Sequence, residues 1–115
     1  MAEAAALAGA VGQVGGVEAV EAADLVVNAT SVGMTGGGPV TLPCPVELLR
    51  PGQVVADLVY QPLETPLLEA ARARGARAVN GVGMLLHQAA RAFTIWTGVP
   101  APITAMRASV ADRFR

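Results

Sequence analysis

Lysine is missing from this chain: all eight of its basic residues are arginine. No lysine amine is therefore available to pass a proton to or from a reacting group. Cysteine and histidine occur once each, as Cys44 and His87, which excludes an internal disulfide and leaves no recurring ligand spacing for a metal. Aromatic residues make up only 3% of the sequence, so any core has to be built from small aliphatic side chains. The net charge is -1 with no basic cluster, which argues against nucleic acid or an anionic membrane as a partner. Apolar runs stay well short of the roughly 20 residues that span a bilayer. The alanine-rich N-terminus carries Glu3 and no positive residue, so it does not read as a secretory signal, and the expected compartment is the cytoplasm.

What is present is globular. The 115 residues are 53% hydrophobic and 15% charged, enough for one domain at most. Residues 2–10 are strong helix formers until glycines accumulate from Gly9 to Gly16. Those glycines do not form G-x-G-x-x-G and follow a helix rather than a strand, so they read as a helix stop and loop. Asp24 to Asn28 is an apolar burst that predicts a buried parallel strand running into a polar loop. Gly33 to Pro45 predicts a long loop, Val46 to Arg50 a single helical turn, and Gln53 to Tyr60 a second strand. Thr65 caps a helix that opens with Pro66, runs to Arg74 and is closed by Gly75. Ala76 to Val79 predicts a third strand, Gly81 to Thr97 an amphipathic helix, and about 103–114 a last helix.

Strands alternating with helices at this spacing predict an α/β fold with a parallel sheet and right-handed crossovers. Three strands make half a doubly wound Rossmann-like sheet with flanking helices, without the half that carries a glycine fingerprint. Ligands in such folds meet the carboxyl ends of the strands. Three polar clusters fall there: Asn28 to Ser31, Asp57 to Tyr60, and Asn80 to Gly83. Their amides and hydroxyls could line a ribose or phosphate, and Gly33, Gly81 and Gly83 would admit a flat ligand close to the backbone. Strand ends are usually polar, however, and on the residues alone an ordinary loop role carries more weight.

Three motifs shift that balance. Asn28-Ala-Thr-Ser-Val-Gly-Met34, the Asp57-Leu-Val-Tyr-Gln-Pro62 segment with Thr65, Leu67 and Leu68, and Gly81-Val-Gly-Met-Leu-Leu-His-Gln-Ala89 with Phe93, Trp96 and Gly98 resemble, in order and spacing, the C-terminal half of shikimate dehydrogenase. The resemblance covers about residues 24–108. It implies an NADP-dependent oxidoreductase that reduces 3-dehydroshikimate to shikimate in aromatic amino-acid biosynthesis. It also implies that Asn28, Ala29, Thr30 and Ser31 lie beside the cofactor, that Leu58, Gly81 and Met84 meet its nicotinamide side, and that Tyr60 and Gln88 reach the substrate. Gln88 also has support from physics: a glutamine facing an apolar helical stripe is costly unless bonded, and a bound polyol would satisfy it.

The same resemblance implies what is lacking. The family's catalytic lysine–aspartate pair, its carboxylate-gripping hydroxyls, its pyrophosphate turn and its 2′-phosphate loop all come from regions preceding Met1. No catalytic residue is therefore assigned within the chain. Residues 1–98 are expected to form the C-terminal half of the dinucleotide-binding domain, and 99–115 a helix that would pack on a substrate domain outside the chain. The expected partners are shikimate or 3-dehydroshikimate, and either that N-terminal substrate domain or a second, self-associating copy. Alone, the chain is expected to be inactive. A non-enzymatic nucleotide- or shikimate-binding module, or a truncated remnant, is the alternative. His87, without a carboxylate at helical spacing, reads as a surface or structural residue, Asp57 as a backbone-bonding or ligand residue, Trp96 and Phe93 as helix packing, and Cys44 as an unreactive thiol.

Overall fold

Three short valine-containing segments pair into one parallel sheet: β1 (Leu25–Asn28), β2 (Val54–Asp57) and β3 (Arg77–Val79), in the order β1-β2-β3. Around it run α1 (Ala2–Leu7), α2 (Ala19–Ala22), α3 (Pro66–Ala73), α4 (Val82–Thr97) and α5 (Ile103–Arg113), with 3-10 turns at Gly9–Val11 and Val46–Leu48. The computed structural model describes residues 2–34 and 41–113. The expected loop over 33–45 and last helix over 103–114 thus lie partly outside the described residues, at 35–40 and 114.

Local chemistry accounts for the element boundaries. Thr65 accepts the Leu68 N–H at its hydroxyl and Pro66 follows at the first helical position, which starts α3. The helix stops where Gly75 turns left-handed (φ +80°), with Gly75 N–H bonded to Arg72 O and Ala76 N–H bonded to Ala71 O, a Schellman ending. The second strand is shorter than the expected Gln53 to Tyr60. It ends at Asp57 because that carboxylate accepts the N–H of Val59, two residues on, and so turns the chain out of the ladder.

The four-residue helix α2 was not expected from the sequence. It is held by side chains about thirty residues away. Gln53 Nε2 donates to Val20 O and Ala23 O, while the Arg50 guanidinium donates to Glu21 O and Ala23 O. Arg74 likewise donates to Leu49 O and Glu47 O. The arginine fork thus serves here to satisfy carbonyls at the ends of short helices.

Register separates the sheet into two unlike faces. Val26, Val55 and Ala78 align on one face, over which α3 packs with Leu49, Leu67 and Ala71 to form the core. Leu25, Val27 and Val79 lie on the other face, and Leu25 and Val27 are 59% and 48% exposed. Parallel sheets are ordinarily covered on both faces. The radius of gyration, 16.1 Å, exceeds the roughly 13 Å of a compact chain of this length. Thermal unfolding of the isolated chain, followed by circular dichroism, should therefore give a broad or concentration-dependent transition below about 60 °C. A sharp, concentration-independent transition above that temperature would contradict the open face.

Candidate functional site

The carboxyl ends of β1 and β2 are joined by side chains buried against the N-terminus of α3. Asp57 is fully buried, and its carboxylate is satisfied by three donors. Oδ1 accepts Asn28 Nδ2 at 3.0 Å and Val59 N–H at 3.0 Å, and Oδ2 accepts the Thr65 hydroxyl at 2.6 Å. Asn28 uses its whole amide: Nδ2 also donates to Val32 O at 3.1 Å, and Oδ1 accepts the Thr30 N–H at 3.1 Å and the Thr30 hydroxyl at 2.6 Å. Thr30 Oγ1 in turn accepts the Val32 N–H. The loop at 28–32 is thereby folded around one asparagine, with Gly33 leaving it at φ +94°.

Asn28 and the Thr30 hydroxyl therefore shape this loop rather than project from it, while Ala29, Thr30 and Ser31 form its exposed surface. Beside them, Leu58 N–H bonds to Asn28 O at 3.0 Å. Gly81 closes the third side. A Cβ on it would stand 2.6 Å from Leu58 O and 2.9 Å from Asp57 O, so α4 starts in direct contact with the peptide that ends β2. Gly83, by contrast, has nothing within 4 Å of its Cβ position. Three glycines with one expected role thus have three different reasons: a left-handed turn at Gly33, backbone contact at Gly81, and open surface at Gly83.

Asn28, Leu58 and Gly81 are brought together at the strand ends. Met84 and Gln88 stand one and two turns along α4 from Gly81. The buried face of α4 carries Leu86 and Ala90, while Met84, Gln88 and Ile95 line the opposite, exposed face. Gln88 is therefore not buried, contrary to the expectation, and its Nε2 donates to Leu85 O within its own helix at 3.0 Å. The helix carries two apolar stripes, and the covered one is not Gln88's. Trp96, expected to be helix packing, is 83% exposed; Phe93 is half-buried.

Tyr60 is exposed beyond β2. His87 is exposed and lines, with Asn80, Leu63, Leu86, Arg107 and Val110, a cleft of about 410 Å³ between α4 and α5. Cys44 is buried in the core, and desolvation pushes its thiol pKa up, which keeps it protonated at neutral pH. The member of the site that the sequence assigned least well is Asp57. Its one legible signal is an aspartate closing an apolar strand eight residues before a helix-capping threonine.

Comparison with known proteins places these residues in a family context. A model of the shikimate 5'-dehydrogenase C-terminal domain matches residues 81–111. The NADP(+) shikimate dehydrogenase of Moorella thermoacetica is 55% identical over 85 residues, which make up 74% of this chain and 28% of that protein. The fold matches the Thermus thermophilus shikimate 5-dehydrogenase, solved with NADP(H) and shikimate, at TM-score 0.76 and 38% identity over 88% of this chain and 38% of that one. It also matches the Corynebacterium glutamicum quinate dehydrogenase, solved with NAD, at TM-score 0.70 and 41% identity over 84% of this chain and 34% of that one. The chain spans about a third of the length of the proteins it matches.

Proposed function

We propose that this chain, by sequence and by fold the C-terminal region of a shikimate dehydrogenase, forms the nicotinamide-facing part of an NADP-dependent site for interconverting shikimate and 3-dehydroshikimate. The observation that carries the proposal is the meeting of three strand-end segments at one point: the Asn28 loop, the Leu58 peptide and Gly81. The residues there suit a dinucleotide. Ser31 offers an exposed hydroxyl for a ribose or phosphate, and Leu58 and Met84 offer apolar surface for a flat ring. When bound, NADP supplies the hydride carrier.

The roles of the chain's own residues follow from this reading. Ala29, Thr30 and Ser31 bind the cofactor from the loop that Asn28 holds. Leu58, Gly81 and Met84 bound the nicotinamide. Tyr60 and Gln88 hydrogen-bond the substrate, and Gln88 can do so at little cost, because its present bond is an exposed one to its own helix. The carbinol proton must be moved by a group elsewhere in the assembled enzyme. Lysine is absent, and His87 sits about 100° around α4 from Gln88.

The test is shikimate-dependent reduction of NADP by the purified chain, with and without the N-terminal two-thirds of a related enzyme, with quinate and NAD as alternative substrates. Activity is expected only on mixing. A stable complex that reduces neither cofactor would overturn the proposal and favour a binding module, which direct NADP and shikimate titrations of the chain would then identify.

A further inference from the structure

Building on the cofactor site just described, we propose that Asp57 is a positioning residue: acting through Asn28, it holds the cofactor loop at 28–32 in fixed relation to the segment from Leu58 to Tyr60. Asp57 itself meets no ligand. It is fully buried, and both its oxygens are occupied by protein donors. Those donors come from three separate places: the side chain that organises the 28–32 loop, the backbone that carries Leu58 and Tyr60, and the capping residue of α3. One carboxylate thus ties the proposed cofactor loop and the proposed substrate segment to the same point.

A buried carboxyl group is a costly way to fill a core, since apolar residues of similar volume do so as well or better. What it adds is two oxygens that together accept several donors in fixed directions. In Asn28 the consequence is specific. With one Nδ2 hydrogen on Asp57 and the other on Val32 O, its Oδ1 is turned to receive both Thr30 donors, and the amide cannot flip. Misplacement of a binding loop by about 1 Å is enough to lower turnover strongly.

The experiment uses the assembled enzyme, this chain joined to the N-terminal two-thirds of a relative, with NADP and shikimate titrated separately by calorimetry. Asp57→Ala is the obvious variant and is expected to fail in folding, so Asp57→Asn, which conserves volume, is the working one. Its NADP Kd is expected to rise about tenfold, because an amide keeps a single acceptor oxygen for the three donors, with a smaller rise in the shikimate Kd, since the Val59 N–H that leads to Tyr60 depends on the same side chain. Adding Asn28→Ala to it should raise the NADP Kd no further than Asn28→Ala alone, because the two act in series. Thr65→Val, which cuts the bond to Oδ2 and the α3 cap, should lower the melting temperature and leave the NADP Kd within twofold.

Equal loss of NADP affinity in Asp57→Asn and Thr65→Val, or independent multiplication of the Asn28 and Asp57 effects, would overturn the inference by reducing Asp57 to a stabilising residue. An unchanged NADP Kd in Asp57→Asn would also overturn it, while leaving the cofactor site intact. A parent assembly that does not bind NADP would overturn both the inference and the reading beneath it.

Discussion

Gly81→Ala is expected to lower the activity of the assembled enzyme by about a hundredfold while leaving the chain folded. Backbone strain is not the cause, since Gly81 has φ -78° and ψ -4°, which alanine adopts freely. The obstacle is space. The added methyl would lie 2.6 Å from Leu58 O, 2.8 Å from Leu58 C and 2.9 Å from Asp57 O, all backbone atoms at the end of a sheet strand. Backbone cannot rotate aside as a side chain can, so the first turn of α4 has to move away. Overpacking of this kind costs about 1–3 kcal/mol. The displaced turn leads directly to Met84 and Gln88, so the cofactor and substrate contacts proposed for α4 would shift together. Gly83→Ala is the control: nothing lies within 4 Å of its Cβ position, and alanine favours the helix by roughly 0.8–1 kcal/mol. Steady-state kinetics and thermal melts of the two variants check the contrast. Equal activity in both would mean that the close contact at Gly81 does not position α4.

Asp57→Ala is expected to abolish cooperative folding of the chain. The substitution leaves Asn28 Nδ2, the Val59 N–H and the Thr65 hydroxyl without their acceptor inside a buried cluster. Each unpaired buried donor costs about 1–3 kcal/mol, and a whole domain is stable by only about 5–15 kcal/mol. A chain with one sheet face open has less in reserve. Urea titration by circular dichroism should show no native baseline. By comparison, Asp24 is fully exposed and 3.7 Å from Arg50, so Asp24→Ala should leave the titration unchanged. A cooperative Asp57→Ala transition near the parent midpoint would mean that water or a neighbouring group takes over the three donors.

The two predictions rest on different kinds of information, and the sequence carried them unequally. The α3 boundaries were legible because each signal is local: a capping threonine, a proline at the first helical position and a glycine at the stop lie within a dozen residues. The three strands were legible as valine-containing bursts, although β2 was expected to run on to Tyr60. Nothing in the apolar run Leu58-Val59 announces that Asp57 will take the Val59 N–H and end the ladder. The helix α2 was missed for a similar reason. Four residues are too few for periodicity, and what holds them is a glutamine and an arginine about thirty positions downstream.

By itself, the sequence determined the order of the three strands and of α3, α4 and α5, the parallel α/β half-sheet and the family resemblance, because these depend on local propensity and on motif spacing along the chain. It also determined that no lysine of this chain can serve the reaction. Only the tertiary structure decided which apolar stripe of α4 is covered, and so that Gln88 is exposed rather than buried. The structure also decided that Gly81 is required by the Leu58 peptide and not by a backbone angle, and that Asp57 is the shared acceptor of Asn28, Val59 and Thr65. Each of those outcomes depends on which distant groups meet, Asn28 and Asp57 being 29 positions apart. Burial and hydrogen bonding at such sites follow from the packing of separate segments, which no single segment encodes.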